Sequence, residues 1–188
     1  MLNLIIVKEM KRRLIIQEEA FNQYENDISI LKESIKQKKD HVNVSINDLV
    51  SIRIDSSSFE SDLIRTEEKY TKSYFAIERY KKDIESYEKN NTISDKTKKL
   101  IVGRFQQITD NIKHGVEFLD SMIKGIIQAK KNKVVDYRWW YCYDGQYVNP
   151  SFYSTFMKEK REQLKKSKEK LKIAKQRLSF AKKIKVIK

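Results

Sequence analysis

The sequence predicts a mainly α fold: an elongated antiparallel helical bundle, or a pair of coiled-coil arms, with one or two short β-hairpins. Apolar residues recur at heptad spacing in four stretches, which is typical of helices that pack along a seam. The 188 residues include only four glycines and one proline, so turn formers are scarce and long helices are favoured. Because 39% of the residues are hydrophobic and 11% aromatic, the chain can build a core, and we expect a single helical domain.

The first two helices are predicted at about residues 1–39 and 59–90. In the first, the heptad pattern persists for about four repeats with one polar exception, Gln17. Ser57 and Glu60 have capping-box spacing, which favours a helix start at that point. The predicted core positions are Val7, Met10, Leu14, Phe21, Tyr24, Ile28, Leu31 and Ile35 in the first helix, and Leu63, Tyr70, Ile77, Tyr80, Ile84 and Tyr87 in the second.

The third and fourth helices are predicted at about residues 95–131 and 150–187. Thr92, Ser94 and Asp95 are N-cap candidates for the third, and Asn149-Pro150 is a good N-cap and first-turn pair for the fourth. Gly115 and Gly125 lie inside the third helix, where close packing or a bend would explain them. The predicted core positions are Ile101, Phe105, Ile108, Ile112, Leu119, Met122 and Ile126, then Met157, Leu164, Ser167, Leu171, Ala174, Leu178 and Ala181.

Two segments, at about residues 42–54 and 134–148, interrupt the helical pattern. The first alternates apolar and polar residues around Asn47-Asp48, which favours a short hairpin, with a short helix as a close alternative. In the second, Asp144-Gly145 is flanked by β-forming aromatic residues, and this is a stronger hairpin signal.

The second segment is rich in aromatic side chains, since nine of the twenty residues from Tyr137 to Phe156 are aromatic. Trp, Tyr and Arg are enriched at binding hot spots, so one face of this hairpin is a candidate partner-binding surface. Two alternatives remain: the hairpin plugs the end of the helical bundle, or it stacks on the bases of single-stranded nucleic acid. The candidate partner-binding residues here are Arg138, Trp139, Trp140, Tyr141, Tyr143 and Tyr147.

The fourth helix carries most of the positive charge. Residues 151–188 hold 14 Lys and Arg against three acidic residues, a net charge of +11 out of +14 for the whole chain. Lys168 and Lys175 flank the leucine seam, where Glu18, Glu25 and Asp27 of the first helix are expected to neutralise part of the charge. The lysines expected to face outwards, towards a partner, are Lys165, Lys166, Lys172 and Lys183.

Three kinds of acidic partner fit such a helix. An acidic protein surface satisfies the charges, alongside self-association through the heptad seams. Nucleic-acid binding is the alternative. It would be independent of base sequence, because lysine outnumbers arginine in this segment and bidentate base recognition favours arginine. An anionic membrane surface is less favoured, since the small residues at the core positions of this helix leave only a modest apolar face.

Catalysis finds little support in the sequence. His41 and His114 lie far apart and lack metal-ligand spacing, and no phosphate-binding loop, dinucleotide fingerprint or nucleophile elbow occurs. With Cys142 as the single cysteine, an intramolecular disulfide framework is excluded. We therefore expect no enzyme, cofactor or metal. The predicted function is non-catalytic protein–protein interaction in an assembly or scaffold, with non-sequence-specific nucleic-acid binding as the alternative.

The expected setting is the cytoplasm of the producing or host cell. The apolar start at residues 2–7 lacks a preceding basic region and ends at Lys8, so a secretory signal is not expected. No apolar stretch approaches the roughly 20 residues needed to span a bilayer. The high content of Lys, Asn and Ile suggests an AT-rich coding genome, as for a phage or mobile-element accessory protein.

Overall fold

The computed structural model describes residues 2–40, 46–131, 141–143, 146–148 and 152–187, with side chains described over 2–37, 58–131 and 152–187. The described chain is mainly α, as predicted. Two compact units divide it: unit 1 is Met1–Thr97 with Lys185–Lys188, and unit 2 is Lys98–Ile184. The elements are α1 (Leu2–Asp40), α2 (Ile46–Asn90), β1 (Thr92–Ile93), α3 (Asp95–Lys131), β2 (Tyr141–Tyr143), β3 (Gln146–Val148), α4 (Tyr153–Lys182) and β4 (Lys185–Val186).

In unit 1, α1 and α2 pack against each other in antiparallel orientation. Near the start of α1, the Asn3 side-chain oxygen accepts a hydrogen bond from the Tyr87 hydroxyl at the end of α2, at 3.1 Å. Further along, the Phe21 ring stacks on the Tyr70 ring with centroids 4.3 Å apart. Every heptad core position predicted in α1 is buried or half-buried, and so is every one predicted in α2. The burial predicted for these core positions is therefore confirmed, and the structure adds which two helices share them.

The predicted hairpin at residues 42–54 is wrong over its described part, because Ile46–Ile54 belong to α2. Ser57 and Glu60 consequently lie inside the helix and do not cap it. Residues 41–45 lie outside the described residues. Extending a helix adds a hydrogen bond per residue without a new nucleation step, which favours helix over a separate short hairpin. The same apolar residues also fit helical spacing: Ile46, Leu49, Val50 and Ile54.

A short parallel sheet joins the end of α2 to the end of the chain. Asn91 follows α2 with a φ of 54°, and its N–H donates to the Tyr87 carbonyl at 2.9 Å. The helix thus ends on a residue in the left-handed conformation, which asparagine tolerates. β1 then pairs with β4 in the register Thr92↔Lys185 and Ile93↔Val186. The fully buried Ile93 also accepts a hydrogen bond from the Ile187 N–H at 3.0 Å.

The fourth helix is shorter than predicted at both ends. It ends at Lys182 instead of about 187, because the residues that follow pair with β1. The alternation in Ile184-Lys185-Val186-Ile187 is the sequence signal for this strand, although it is too short to outweigh the preceding helical pattern. The helix begins at Tyr153, and the Phe152 side chain makes no capping hydrogen bond. The predicted Asn149-Pro150 cap lies outside the described residues.

The junction between α2 and α3 is organised by a buried carboxylate. Asp83, 2% exposed, accepts hydrogen bonds from the Ser94 N–H at 2.7 Å and from the Ser94 hydroxyl at 2.6 Å. The Ser94 hydroxyl oxygen accepts in turn from the Thr97 N–H at 3.4 Å, so Ser94 is the N-cap of α3, one of the three candidates from sequence. The buried Thr97 hydroxyl accepts from Arg79 Nε at 3.3 Å. A buried carboxylate is costly unless it is hydrogen-bonded, and here both of its oxygens are.

In unit 2, α3 and α4 form a second antiparallel pair. Lys98, near the start of α3, donates from Nζ to the Ile184 carbonyl beyond the end of α4, at 2.7 Å. At the opposite end, Lys130 Nζ lies 3.9 Å from the centroid of the Tyr153 ring. The predicted core positions of both helices are buried or half-buried, which confirms this seam as well. The core cluster consists of Met122, Ile123, Ile126 and Met157, with Leu119, Tyr153, Phe156 and Leu164 packed against it.

The predicted aromatic hairpin is confirmed at the level of the backbone. β2 and β3 pair in antiparallel register, with Tyr141↔Val148, Cys142↔Tyr147 and Tyr143↔Gln146. Only Asp144 and Gly145 separate the last pair in sequence, as the turn signal requires, and these two residues lie outside the described residues.

We predict that Asp83→Ala lowers the free energy of unfolding by about 2–3 kcal/mol, because the partly buried donors of Ser94 lose a charged acceptor. Urea unfolding followed by circular dichroism measures this difference. Glu85→Ala, which removes an exposed carboxylate from the same helix, is the matched control and should change the free energy by less than about 0.5 kcal/mol. Equal effects of the two substitutions would contradict a special role for the junction.

We also predict that Gly103→Ala and Gly115→Ala each stabilise α3 by about 1 kcal/mol. Both glycines are exposed, and no atom lies within 4 Å of a Cβ placed on either, so close packing does not account for Gly115. The added methyl groups meet nothing while the unfolded chain loses freedom. Unfolding of each single variant and of the double variant, whose effects should add, provides the measurement. A loss of stability at Gly115 would contradict the prediction.

Candidate functional site

Five cations form a row along one face of α4. They follow each other at steps of four and three residues, and at 3.6 residues per turn this spacing places them on a single face. All five are exposed. The row extends for about 21 Å along the helix axis at 1.5 Å per residue. We call this row the cationic stripe: Arg161, Lys165, Lys168, Lys172 and Lys175.

The leucine seam of α4 determines where the stripe lies. Leu164 and Leu171 are half-buried, and Ala174 is buried, so the opposite flank of the helix is left for charged residues. The two leucines also line shallow depressions whose walls are the stems of the stripe cations. Long basic side chains cover apolar surface with their stems while the charged ends stay in water. The stripe is therefore both charged at its tips and apolar at its base.

Few carboxylates neutralise the stripe within the described residues. Lys168 Nζ lies 4.0 Å from Asp120 Oδ1 on α3, and Asp120 is shared with Lys124, whose Nζ lies 2.6 Å away. Glu169 lines one depression between the stripe cations. The other four stripe cations form no ion pair with any carboxylate in the part of the chain that the structure describes. These four charges are thus unpaired among the described carboxylates.

The structure separates the four lysines predicted to face a partner. Lys165 and Lys172 belong to the stripe, and the exposed Lys183 follows α4 at about five helical turns from Lys165, on the same line. Lys166 is rotated about 100° around the helix axis from Lys165, and its Nζ is 2.8 Å from Glu162 Oε1. Lys166 is therefore engaged within α4 and does not join the other three.

Within unit 2, the carboxylate nearest to Lys168 is that of Asp120 on α3. The expected neutralisation of α4 by carboxylates of the first helix stays a prediction. Sequence reasoning left Arg161, Lys168 and Lys175 out of the site. The signal that finds them is their regular spacing of four and three residues with the two predicted lysines, Lys165 and Lys172.

The ion pairs beside the stripe shift the titration of their members. The hydrogen bond and charge of Lys166 lower the pKa of Glu162, with smaller contributions from Lys158 and Lys165. The hydrogen bond from Lys124 lowers the pKa of Asp120, and the charges of Lys124 and Lys168 lower it further. Both carboxyl groups therefore remain ionised at more acidic pH than usual.

All six aromatic-hairpin candidates lie outside the side chains that the structure describes. Arg138, Trp139 and Trp140 lie outside the described residues. Tyr141 and Tyr143 lie in β2 and Tyr147 in β3. The role of these six residues in partner binding stays a prediction.

Side chains of the kinds that catalysis and metal binding use also occur in the described part of the chain. There, no cluster of three or more His, Cys, Asp or Glu residues is arranged to hold a metal ion. The His114 side chain is 76% exposed, with Nδ1 3.6 Å from Glu117 Oε2, while His41 lies outside the described residues. None of the helices in the described ranges combines the length and apolar character needed to cross a bilayer.

Comparison of the chain with protein-family models, with curated proteins and with solved structures finds no match. The geometry of α4 and its surroundings is therefore the basis for the functional argument.

We predict that Lys166→Ala raises the pKa of Glu162 towards its ordinary value, because the hydrogen bond that favours the ionised form is lost. With a lowered folded-state pKa, the small stabilisation from this pair is present above the unfolded-state pKa of Glu162 and is lost as the pH falls through the folded-state value. Titration of the carboxyl ¹³C shift by NMR measures the change. Lys172→Ala, which removes a lysine from the same helix, should leave the Glu162 titration in place, and an equal shift would contradict the assignment.

Proposed function

We propose that this protein is a non-catalytic assembly protein that holds an acidic partner protein against the cationic stripe of α4. The main support for this proposal is the row of exposed cations. Four of them have no ion-pair partner among the described carboxylates, and another side of the same helix packs against α3. An acidic helix with carboxylates at the same spacing of four and three residues would match this row.

The heptad seams support the assignment of binding to the outer face. The core positions of α1 and α2 are buried against each other, and those of α3 and α4 likewise. This packing covers much of the apolar surface of each seam within the chain. We therefore assign partner binding to the charged outer face of α4 and not to self-association through the seams.

Electrostatic complementarity sets the expected behaviour of such an interface. It accelerates association and excludes partners of like charge more than it adds affinity, and salt weakens it. The stripe consists of four lysines and one arginine, so most of its cations act as point charges without bidentate geometry. We therefore propose recognition of an acidic surface by its charge spacing.

Non-specific nucleic-acid binding is the second candidate, and the linear form of the stripe favours it. Several cations in a row can contact successive phosphates and release counterions, which gives a steep dependence of affinity on salt. The predominance of lysine disfavours reading of base sequence on this surface as well. The two candidates differ in which polyanion binds more tightly at physiological salt.

The test uses the full-length protein and two defined probes: a helical peptide of about 21 residues with Glu at steps of four and three residues, and random-sequence duplex DNA of similar length. Fluorescence anisotropy in a salt series gives the dissociation constant for each. We predict that the triple reversal Lys165→Glu, Lys172→Glu and Lys175→Glu weakens peptide binding by more than about tenfold.

The matched control is Lys69→Glu, Lys82→Glu and Lys89→Glu on α2, which changes the net charge equally at exposed positions. It should leave peptide binding within about threefold of the unchanged protein. Equal losses in both triple variants would show a net-charge effect and overturn the stripe assignment. Tighter binding of DNA than of peptide near physiological salt would favour the second candidate over the first.

A further inference from the structure

A second surface of α4 has a different chemistry from the cationic stripe. It is a groove between α3 and α4, on the other flank of the leucine seam, with a volume of about 220 Å³. Its position follows from helical spacing, since its α4 residues lie on the side of the seam opposite Lys168 and Lys175. We call it the α3/α4 groove, and it is lined by Phe105, Ile108 and Ile112 of α3 and by Lys170, Ile173, Ala174 and Arg177 of α4.

The groove has an apolar floor and an exposed apolar wall. Phe105 and Ala174 are buried at its base, and Ile108 and Ile112 are half-buried. Ile173 is 48% exposed although it stands beside this apolar floor. Single exposed isoleucines are ordinary, but a concave apolar surface with a polar rim marks a docking site more often than a bare surface position.

The rim of the groove is positively charged. Lys170 and Arg177 are both exposed and stand two helical turns apart, about 10.5 Å along the axis, on either side of Ile173. Neither forms an ion pair with a carboxylate of the described residues. Among the side chains that the structure describes, none that lines the groove is acidic. A ligand that fills it should therefore present an apolar ridge flanked by negative charge.

We propose that the α3/α4 groove docks an amphipathic helix of a partner protein whose apolar ridge is flanked by Asp or Glu residues. The ridge packs on Ile108, Ile112 and Ile173, and the carboxylates pair with Lys170 and Arg177. An apolar helix face placed in a groove is a recurring mode of peptide recognition, with anchors at steps of three and four residues. Charge complementarity selects a different protein over a second copy, because this chain carries a net charge of +14 and copies repel each other.

This site is independent of the proposed function of the stripe. The stripe recognises charge spacing alone, whereas the groove requires an apolar ridge in addition. The two surfaces also use different residues of α4. Either one can therefore fail in experiment while the other stands.

The test uses the full chain with specifically labelled isoleucine methyl groups and a synthetic helical peptide of about 21 residues. The peptide carries Leu at steps of four and three residues with flanking Glu, and a scrambled peptide of identical composition is the control. On addition of the designed peptide, the methyl signals of Ile108, Ile112 and Ile173 should shift, while that of Ile127, which does not line the groove, stays in place. Shifts that avoid the groove, or equal shifts with both peptides, overturn the proposal.

Two variants sharpen the test. Ile173→Asp changes an exposed residue and should weaken peptide binding by about tenfold or more. Ile127→Asp places the same charge at another exposed isoleucine of the same unit and should leave binding within about threefold. Lys170→Glu with Arg177→Glu should weaken binding and reduce its salt dependence, because the flanking charges then repel.

Two further measurements separate this proposal from its competitors. The triple reversal in the stripe should leave the methyl shifts of Ile108 and Ile112 in place, so failure of the stripe and failure of the groove are distinguishable. Light scattering of the protein alone gives its mass. A dimer that Ile173→Asp dissociates would show that a second copy occupies the groove, and this result would overturn the assignment to a different protein.

Discussion

The hydrogen bonds of the buried Asp83 carboxylate hold the junction between α2 and α3, on which the rest of the fold depends. Asp83 fixes both the backbone N–H and the hydroxyl of Ser94, and Ser94 caps the first turn of α3. The two residues of β1, which pair with β4, lie directly before Ser94. Arrangements that remove these donors from the buried carboxylate are costly, so the contact favours one geometry. The junction thereby links the last turns of α2 to the first turn of α3.

Each helix pair packs through its predicted core positions, and the positions between them carry most of the exposed residues. On α4 these positions contain cations on one flank and an exposed isoleucine between two cations on the other. The binding that we propose for this helix therefore depends mostly on exposed residues, and we expect substitutions there to leave the fold intact.

The sequence was sufficient wherever the physics is local and periodic. The bounds of α3 and the seams of all four helices follow from heptad spacing, and β2 and β3 flank the turn that Asp144-Gly145 indicates. It was insufficient where a distant partner decides the outcome. Residues 185 and 186 pair with a strand that lies far away along the chain, and Ile46–Ile54 extend a helix although their alternation also fits a strand. Only part of the stripe followed from the sequence. A heptad pattern separates residues beside the seam, such as Lys168 and Lys175, from outward-facing ones, such as Lys165 and Lys172, whereas on the folded helix they form one row.

The contacts that hold the two ends of α4 affect the binding proposed for the cationic stripe and for the α3/α4 groove. At one end the Met157 cluster holds the helix against α3, and at the other the Lys98 side chain holds the Ile184 carbonyl. A helix fixed at both ends presents its outer residues at constant spacing, so binding loses side-chain entropy but little backbone entropy. In the stripe, the long lysine side chains lose much conformational entropy on binding, and this cost limits affinity. The charges of the stripe would then act mainly on the rate of association. In the groove, Ile173 is a stiff β-branched residue on a fixed helix, so ordering it costs less, and apolar burial there would govern how long a partner stays.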